Sequence, residues 1–166
     1  MFNAKIDLNP HQVESALFAF NSPLSNGVII ADEVGLGKTI EAGMIMCQYW
    51  AENKKNIMII APASLRKQWS VELQEKFFIE SIILESKSFT EELKRGNTNP
   101  FNQKNKIVIT SYNFASNKNE YLTMANLDLV VIDEAHKLRN VYKNTNKSAK
   151  KIKNSFENDY IWEISR

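Results

Sequence analysis

At 166 residues the chain can bury one sizeable core but not two, and 43% hydrophobic with 24% charged residues excludes both a disordered chain and a membrane bundle. A formal net charge of +2 is too small to mark a nucleic-acid binder, so such a role would rest on where the basic residues fall. The single cysteine, Cys47, permits no internal disulfide, two distant histidines leave no soft ligand set for structural zinc, and Met1-Phe2-Asn3-Ala4-Lys5 lacks the apolar run of a signal peptide; a cytoplasmic protein without a membrane span is expected.

Asn9-Pro10 offers a helix cap followed by proline at the first helical position, and Val13, Ala16, Leu17 and Phe20 recur on one face until Pro23. The apolar run Gly27-Val28-Ile29-Ile30-Ala31 follows as a strand, then a loop with two glycines. A second helical pattern places Ile40, Met44, Cys47 and Ala51 on one face and ends at Asn53-Lys54-Lys55. Asn56 to Ala61 is an Ile-rich strand. Pro62-Ala63-Ser64 opens a helix with the buried stripe Leu65, Trp69, Leu73 and Phe77, which assigns Trp69 to the core. Ser81 to Leu84 is a strand, and Thr90 to Arg95 a short helix closed by Gly96. Asn97 to Asn105 lacks periodicity and is expected to be a surface loop tolerant of variation. Lys106 to Thr110 and Asp128 to Ile132 are two more apolar strands, and Asn144 to Phe156 a lysine-rich helix. Ile/Val strands without polar alternation are covered on both faces, and helices between them suit right-handed parallel crossovers. The expected class is α/β with a mainly parallel sheet, whose ligands sit beyond the carboxyl ends of its strands.

Gly35-Leu36-Gly37-Lys38-Thr39 lies between a strand and a helix, where backbone N–H groups and a helix N-terminus surround phosphate oxygens. The glycines allow close backbone approach, Lys38 would lie along the β- and γ-phosphates, and the Thr39 hydroxyl would take a site on Mg²⁺. The strict phosphate-loop pattern has glycine where this chain has Asp32, so the match is to a variant, and a bare glycine turn is the bland alternative. Asp133-Glu134 ends the strand Leu129-Val130-Val131-Ile132. Asp133 suits Mg²⁺ and Glu134 suits the attacking water, against the plain reading of an acidic helix start. Both motifs, in order and each at a strand end, favour the phosphate reading.

Asp133-Glu134-Ala135-His136 with Asp32 to Thr39 resembles superfamily 2 helicase-like ATPases. The longer stretch Ala31-Asp32-Glu33-Val34-Gly35-Leu36-Gly37-Lys38-Thr39-Ile40-Glu41-Ala42-Gly43 is similar to the Swi/Snf family, nearest to its bacterial branch associated with RNA polymerase. Pro10-His11-Gln12, Ala61-Pro62-Ala63-Ser64-Leu65-Arg66-Lys67-Gln68-Trp69 and Ile109-Thr110-Ser111-Tyr112 extend the likeness over nearly the whole chain. The resemblance implies a RecA-like three-layer sandwich over 1–166 as the first lobe of a motor, binding ATP through Gln12 and Asp32, Glu33, Val34, Gly35, Leu36, Gly37, Lys38 and Thr39. Lys38, Asp133, Glu134 and His136 would be catalytic, with Mg²⁺ on Thr39 and Asp133. It further implies that Arg66, Lys67, Gln68, Ser111 and Tyr112 contact the phosphates of double-stranded DNA with little sequence preference. Lys137, Arg139, Lys143, Lys147, Lys150, Lys151 and Lys153 read as a solvated helix face rather than a DNA patch.

The resemblance also implies a second RecA-like lobe that supplies an arginine, so this chain alone is expected to bind nucleotide and turn it over very slowly. The family's Thr-Ala-Thr or Ser-Ala-Thr strand, between the phosphate-loop strand and the Asp133 strand, is not recognisable, and truncation before it would leave a gap in the sheet. Tyr160 to Ser165 alternates like a strand and would either fill that slot or pair at an edge. The leading expectation is an ATP-driven duplex translocase that remodels protein complexes on DNA, with RNA polymerase or a restriction or defence complex as partner. The competing ones are a nucleotide-gated DNA-binding module without turnover and a small-molecule phosphotransferase.

Overall fold

The structure is a computed structural model that describes residues 10, 27–30, 38–134, 151–152, 155 and 161–164, with the side chains of 10, 39–134, 151–152 and 155. Six strands, β1 (Gly27–Ile30), β2 (Ile57–Ala61), β3 (Ser81–Leu84), β4 (Ile107–Ser111), β5 (Leu129–Asp133) and β6 (Ile161–Ile164), form one sheet in the order β1-β6-β5-β2-β4-β3. Every pairing is parallel. Helices α1 (Lys38–Ala51), α2 (Arg66–Phe77), α3 (Ser86–Lys94), α4 (Tyr112–Asn117) and α5 (Asn119–Thr123) connect them. Among the described residues no helix is long and apolar enough to cross a membrane.

Side-chain alternation along each strand sorts the core into two layers. Ile57, Ile59 and Ala61 of β2, with Ile107 and Ile109 of β4 and Leu129 and Val131 of β5, pack under α1 and α2. Met58 and Ile60, with Val108, Val130 and Ile132, pack under α3, α4 and α5. All five β2 positions are buried, because a central strand with helices on both faces has no solvent side. At the amino ends, Asn56 N–H donates to Asp128 Oδ2 (3.0 Å) and Asp128 N–H to the Asn56 carbonyl (2.8 Å), which pins β2 against β5.

The tail takes the central place of the two open to it. β6 pairs with β1 on one side, Gly27 opposite Ile161, and with β5 on the other, Asp133 opposite Ile164. No gap therefore separates β1 from β5.

Three local expectations are corrected. The buried stripe of α1 is Ala42, Ile45, Met46 and Tyr49, whereas Ala51 is exposed and Ile40, Met44 and Cys47 are half-buried. This helix is apolar on nearly every face, so its rotation is set by what it packs on. A Cβ on Gly43 would stand 1.9 Å from the Phe77 ring, and only glycine lets α2 come that close. Second, α3 begins at Ser86, four residues before the expected start, through a capping box in which the Glu85 and Ser88 side chains exchange hydrogen bonds with each other's backbone N–H. Third, the segment at Asn97 is folded in. Phe101 is fully buried and edge-on to Phe89, the Asn99 amide donates to the Tyr121 carbonyl (2.8 Å), and its oxygen accepts from Phe101 N–H (3.2 Å). These asparagines supply backbone partners that a buried non-periodic segment otherwise lacks.

Candidate functional site

In an all-parallel sheet the carboxyl ends of all strands share one edge. The strand order leaves β6 alone between β1, which leads toward α1, and β5, which ends in Asp133. Lys38 opens α1 and Thr39 follows it, half-buried, while α1 packs over β5 through Ala42, Ile45 and Met46 on the layer that holds Leu129 and Val131. Topology thus brings the start of α1 and the end of β5 toward one edge, although 94 residues separate Thr39 from Asp133. Asp32, Glu33, Val34, Gly35, Leu36, Gly37, Gln12 and His136 lie outside the described residues, as do the helix expected from Asn9 and most of the lysine-rich stretch.

The acidic pair is held from two sides. The Trp69 indole Nε1–H donates to Asp133 Oδ2 at 2.9 Å, and the Tyr112 hydroxyl donates to the Asp133 backbone carbonyl. Trp69 is 4% exposed, so its N–H would cost stability if it faced only carbon, and the strand-end carboxylate meets that need. Stripe spacing foretold the burial of Trp69 but not its partner. The available signal was chemical, since a tryptophan in an apolar layer must find an acceptor. Glu134 adopts φ = +60°, a left-handed conformation uncommon for a side-chain-bearing residue, and is buried. Such backbone strain concentrates where a side chain is held to a task.

A carboxylate and a hydroxyl offer the oxygen donors that suit Mg²⁺, so the chemistry of Asp133 and Thr39 fits that ion.

The five expected duplex contacts split into two groups. Lys67 and Gln68 are exposed on the first turn of α2, and Gln68 Nε2 donates to Glu72 Oε1 at 2.9 Å. Arg66 beside them is largely covered, with its guanidinium on the Ala63 carbonyl (3.3 Å) and on Glu85 (3.4 Å). It lines a cleft of about 360 Å³ with Lys67, Lys87, Ser88 and Glu91. Ser111 caps α4, its oxygen accepting from Phe114 N–H at 3.3 Å, and Tyr112 is the residue that reaches Asp133.

Comparison with known proteins bears on this arrangement. The SNF2-related domain matches residues 11–162. The chain is 42% identical over 134 residues to the "Uncharacterized ATP-dependent helicase YqhH" of Bacillus subtilis, covering 79% of this chain and 22% of that protein. It is 40% identical over 138 residues to the RNA polymerase-associated protein RapA of Yersinia enterocolitica, covering 81% of this chain and 14% of that one. The chain thus spans less than a quarter of the length of these relatives. In shape it is similar to the Sulfolobus solfataricus SWI2/SNF2 ATPase core in complex with double-stranded DNA. There the TM-score is 0.76 at 22% identity, over 99% of this chain and 33% of that one, a likeness of fold.

Proposed function

Because this chain belongs to the SNF2-related domain family and has its RecA-like α/β fold, we propose that it is the first, ATP-binding lobe of a motor that tracks along double-stranded DNA and remodels the protein complexes it meets. The observation that carries this reading is the shared edge. The helix opened by Lys38 and Thr39 packs over β5, which ends at Asp133 with Glu134 just beyond it, and one strand separates β5 from β1. Lys38 and the N–H groups of the Asp32 to Gly37 loop neutralise the triphosphate. Thr39 and Asp133 hold Mg²⁺, which when bound offsets charge on the phosphates, and Glu134 orients the attacking water. Gln12 reads the adenine edge with one donor and one acceptor, and His136 joins the acidic pair.

Lys67 and Gln68, with Arg66, Ser111 and Tyr112 behind them, meet the duplex through its phosphates, so binding weakens steeply with salt and reads little sequence. Hydrolysis at full rate needs an arginine from a second lobe, whose absence typically costs about 10³ to 10⁵ in rate. Relatives named RapA favour an RNA polymerase complex over a restriction or defence complex as the object remodelled, in the cytoplasm. The test has two stages. Lys38→Ala in this chain abolishes ATP binding. In a protein that joins this chain to a second RecA-like lobe, Glu134→Gln abolishes duplex-stimulated hydrolysis while ATP still binds. Unchanged ATP affinity in Lys38→Ala overturns the reading, and binding without turnover in the wild-type two-lobe protein leaves a nucleotide-gated module instead.

A further inference from the structure

We infer that Trp69 and Tyr112 are positioning residues for the acidic pair, Trp69 setting the Asp133 carboxylate for Mg²⁺ and Tyr112 holding the peptide that joins Asp133 to Glu134. The inference rests on the nucleotide reading above and adds two residues that act through others.

Each contact restrains a different degree of freedom. Asp133 ends its strand, where the ladder to β6 fixes the backbone at Ile164 but leaves the side chain to turn. The indole N–H at 2.9 Å selects one rotamer by occupying Oδ2, and Trp69 itself has little freedom, wedged among Leu73, Phe77 and the β-strand layer at 4% exposure. A buried donor on a packed ring is a more rigid guide than a solvated side chain. Tyr112 acts on the main chain. The carbonyl that accepts its hydroxyl belongs to the peptide preceding Glu134, and Glu134 sits at φ = +60°. A rotation of that peptide toward ordinary strand geometry would break the hydroxyl contact and redirect the Glu134 side chain, which is buried at 8% exposure. The two restraints come from separate elements: Trp69 from the first turn of α2, and Tyr112 from the start of α4, just after the Ser111 cap.

Partners that orient a metal-binding side chain typically change metal affinity by about 10- to 100-fold when removed. Trp69→Phe keeps an aromatic ring in the layer and deletes the donor. With the wild-type chain, ATP affinity is measured with and without Mg²⁺, and the ratio is the readout. Trp69→Phe is expected to reduce that ratio about tenfold with Mg²⁺-free affinity unchanged, whereas a merely structural role would lower both affinities together. In ¹H–¹⁵N spectra the indole signal lost in Trp69→Phe identifies Trp69, and in the otherwise wild-type chain this signal shifts on Asp133→Asn while those of Trp50 and Trp162 stay. Tyr112→Phe is expected to leave the Mg²⁺ ratio intact and to double or broaden the Glu134 amide signal. An unchanged ratio in Trp69→Phe beside a strong Mg²⁺ effect in the wild type overturns the role of Trp69, as does an indole signal indifferent to Asp133→Asn. A single, unshifted Glu134 amide in Tyr112→Phe overturns that of Tyr112. A wild type that gains nothing from Mg²⁺ removes the nucleotide reading itself, before any variant is made.

Discussion

The two faces of the sheet are built to different rules. Under α1 and α2 the layer is tight, with aliphatic strand residues below the helix-borne aromatics Tyr49, Trp69 and Phe77 and with Gly43 against Phe77, and the Trp69 indole N–H reaches the carboxyl edge. Under α3, α4 and α5 it is aromatic, with Phe89 edge-on to Phe101, Phe114 and Tyr121 and a nearby loop tied in by Asn99. Each face sends a residue to Asp133, Trp69 from the first and Tyr112 from the second, and the second also closes the domain around a long loop. The contrast teaches that both layers of one core reach the site, the first through the Trp69 indole and the second through the Tyr112 hydroxyl, while the second must also close over a long loop.

Substitutions can break that contrast or sharpen it. The largest effect is expected on the second face. Phe101→Ala empties a fully buried position and should cost about 3 to 5 kcal/mol, read as a lower denaturant midpoint, with nucleotide affinity of the folded fraction unchanged. Next is Gly43→Ala, which places a methyl into the Phe77 ring and should cost about 1 to 3 kcal/mol. Because that strain pushes α1 off α2, it should also weaken ATP binding, and an equal loss of affinity in Phe101→Ala would erase the distinction. A smaller effect concerns acid. Hydrogen bonds from Gln103, then Asn97 and Arg95, hold the Glu92 carboxyl below its ordinary 4.5. Its folded-state value is depressed, so its contribution is complete above 4.5 and is lost as pH falls through the lowered value. Hydrogen exchange at Asn97 to Gln103 should accelerate over that acid range and be insensitive to pH there in Glu92→Gln. The smallest is kinetic: burial pushes the Cys47 thiol up to about 11, so alkylation near pH 8 should be far slower than for an exposed thiol.

How much could be read in advance follows from length and period. β2, β4 and β5 are continuous Ile/Val runs, and their bounds shifted by only a residue. The α2 stripe held at Trp69, Leu73 and Phe77. The helices at Tyr112–Asn117 and Asn119–Thr123 went unread because six and five residues are too few to display a 3.6-residue period and too short to persist without the core beneath them. The strand leading to Asp133 and the helix that follows the glycine loop were legible because strand ends and helix starts are local features, whereas Trp69 as a partner of Asp133 was not, since 64 residues separate them.

From its own pattern of apolar runs and glycines the chain determines that it alternates strand and helix, that the strands are parallel and doubly covered, and that two phosphate-type motifs fall at strand ends. Local propensity and side-chain period suffice for that. Only the tertiary structure decided which face of α1 is buried, that Ile161–Ile164 lies between β1 and β5, and that an indole and a phenol converge on Asp133. Those outcomes depend on contacts between segments distant in sequence, where the fit of ring, glycine and carboxylate in space selects one arrangement among several that the pattern allows.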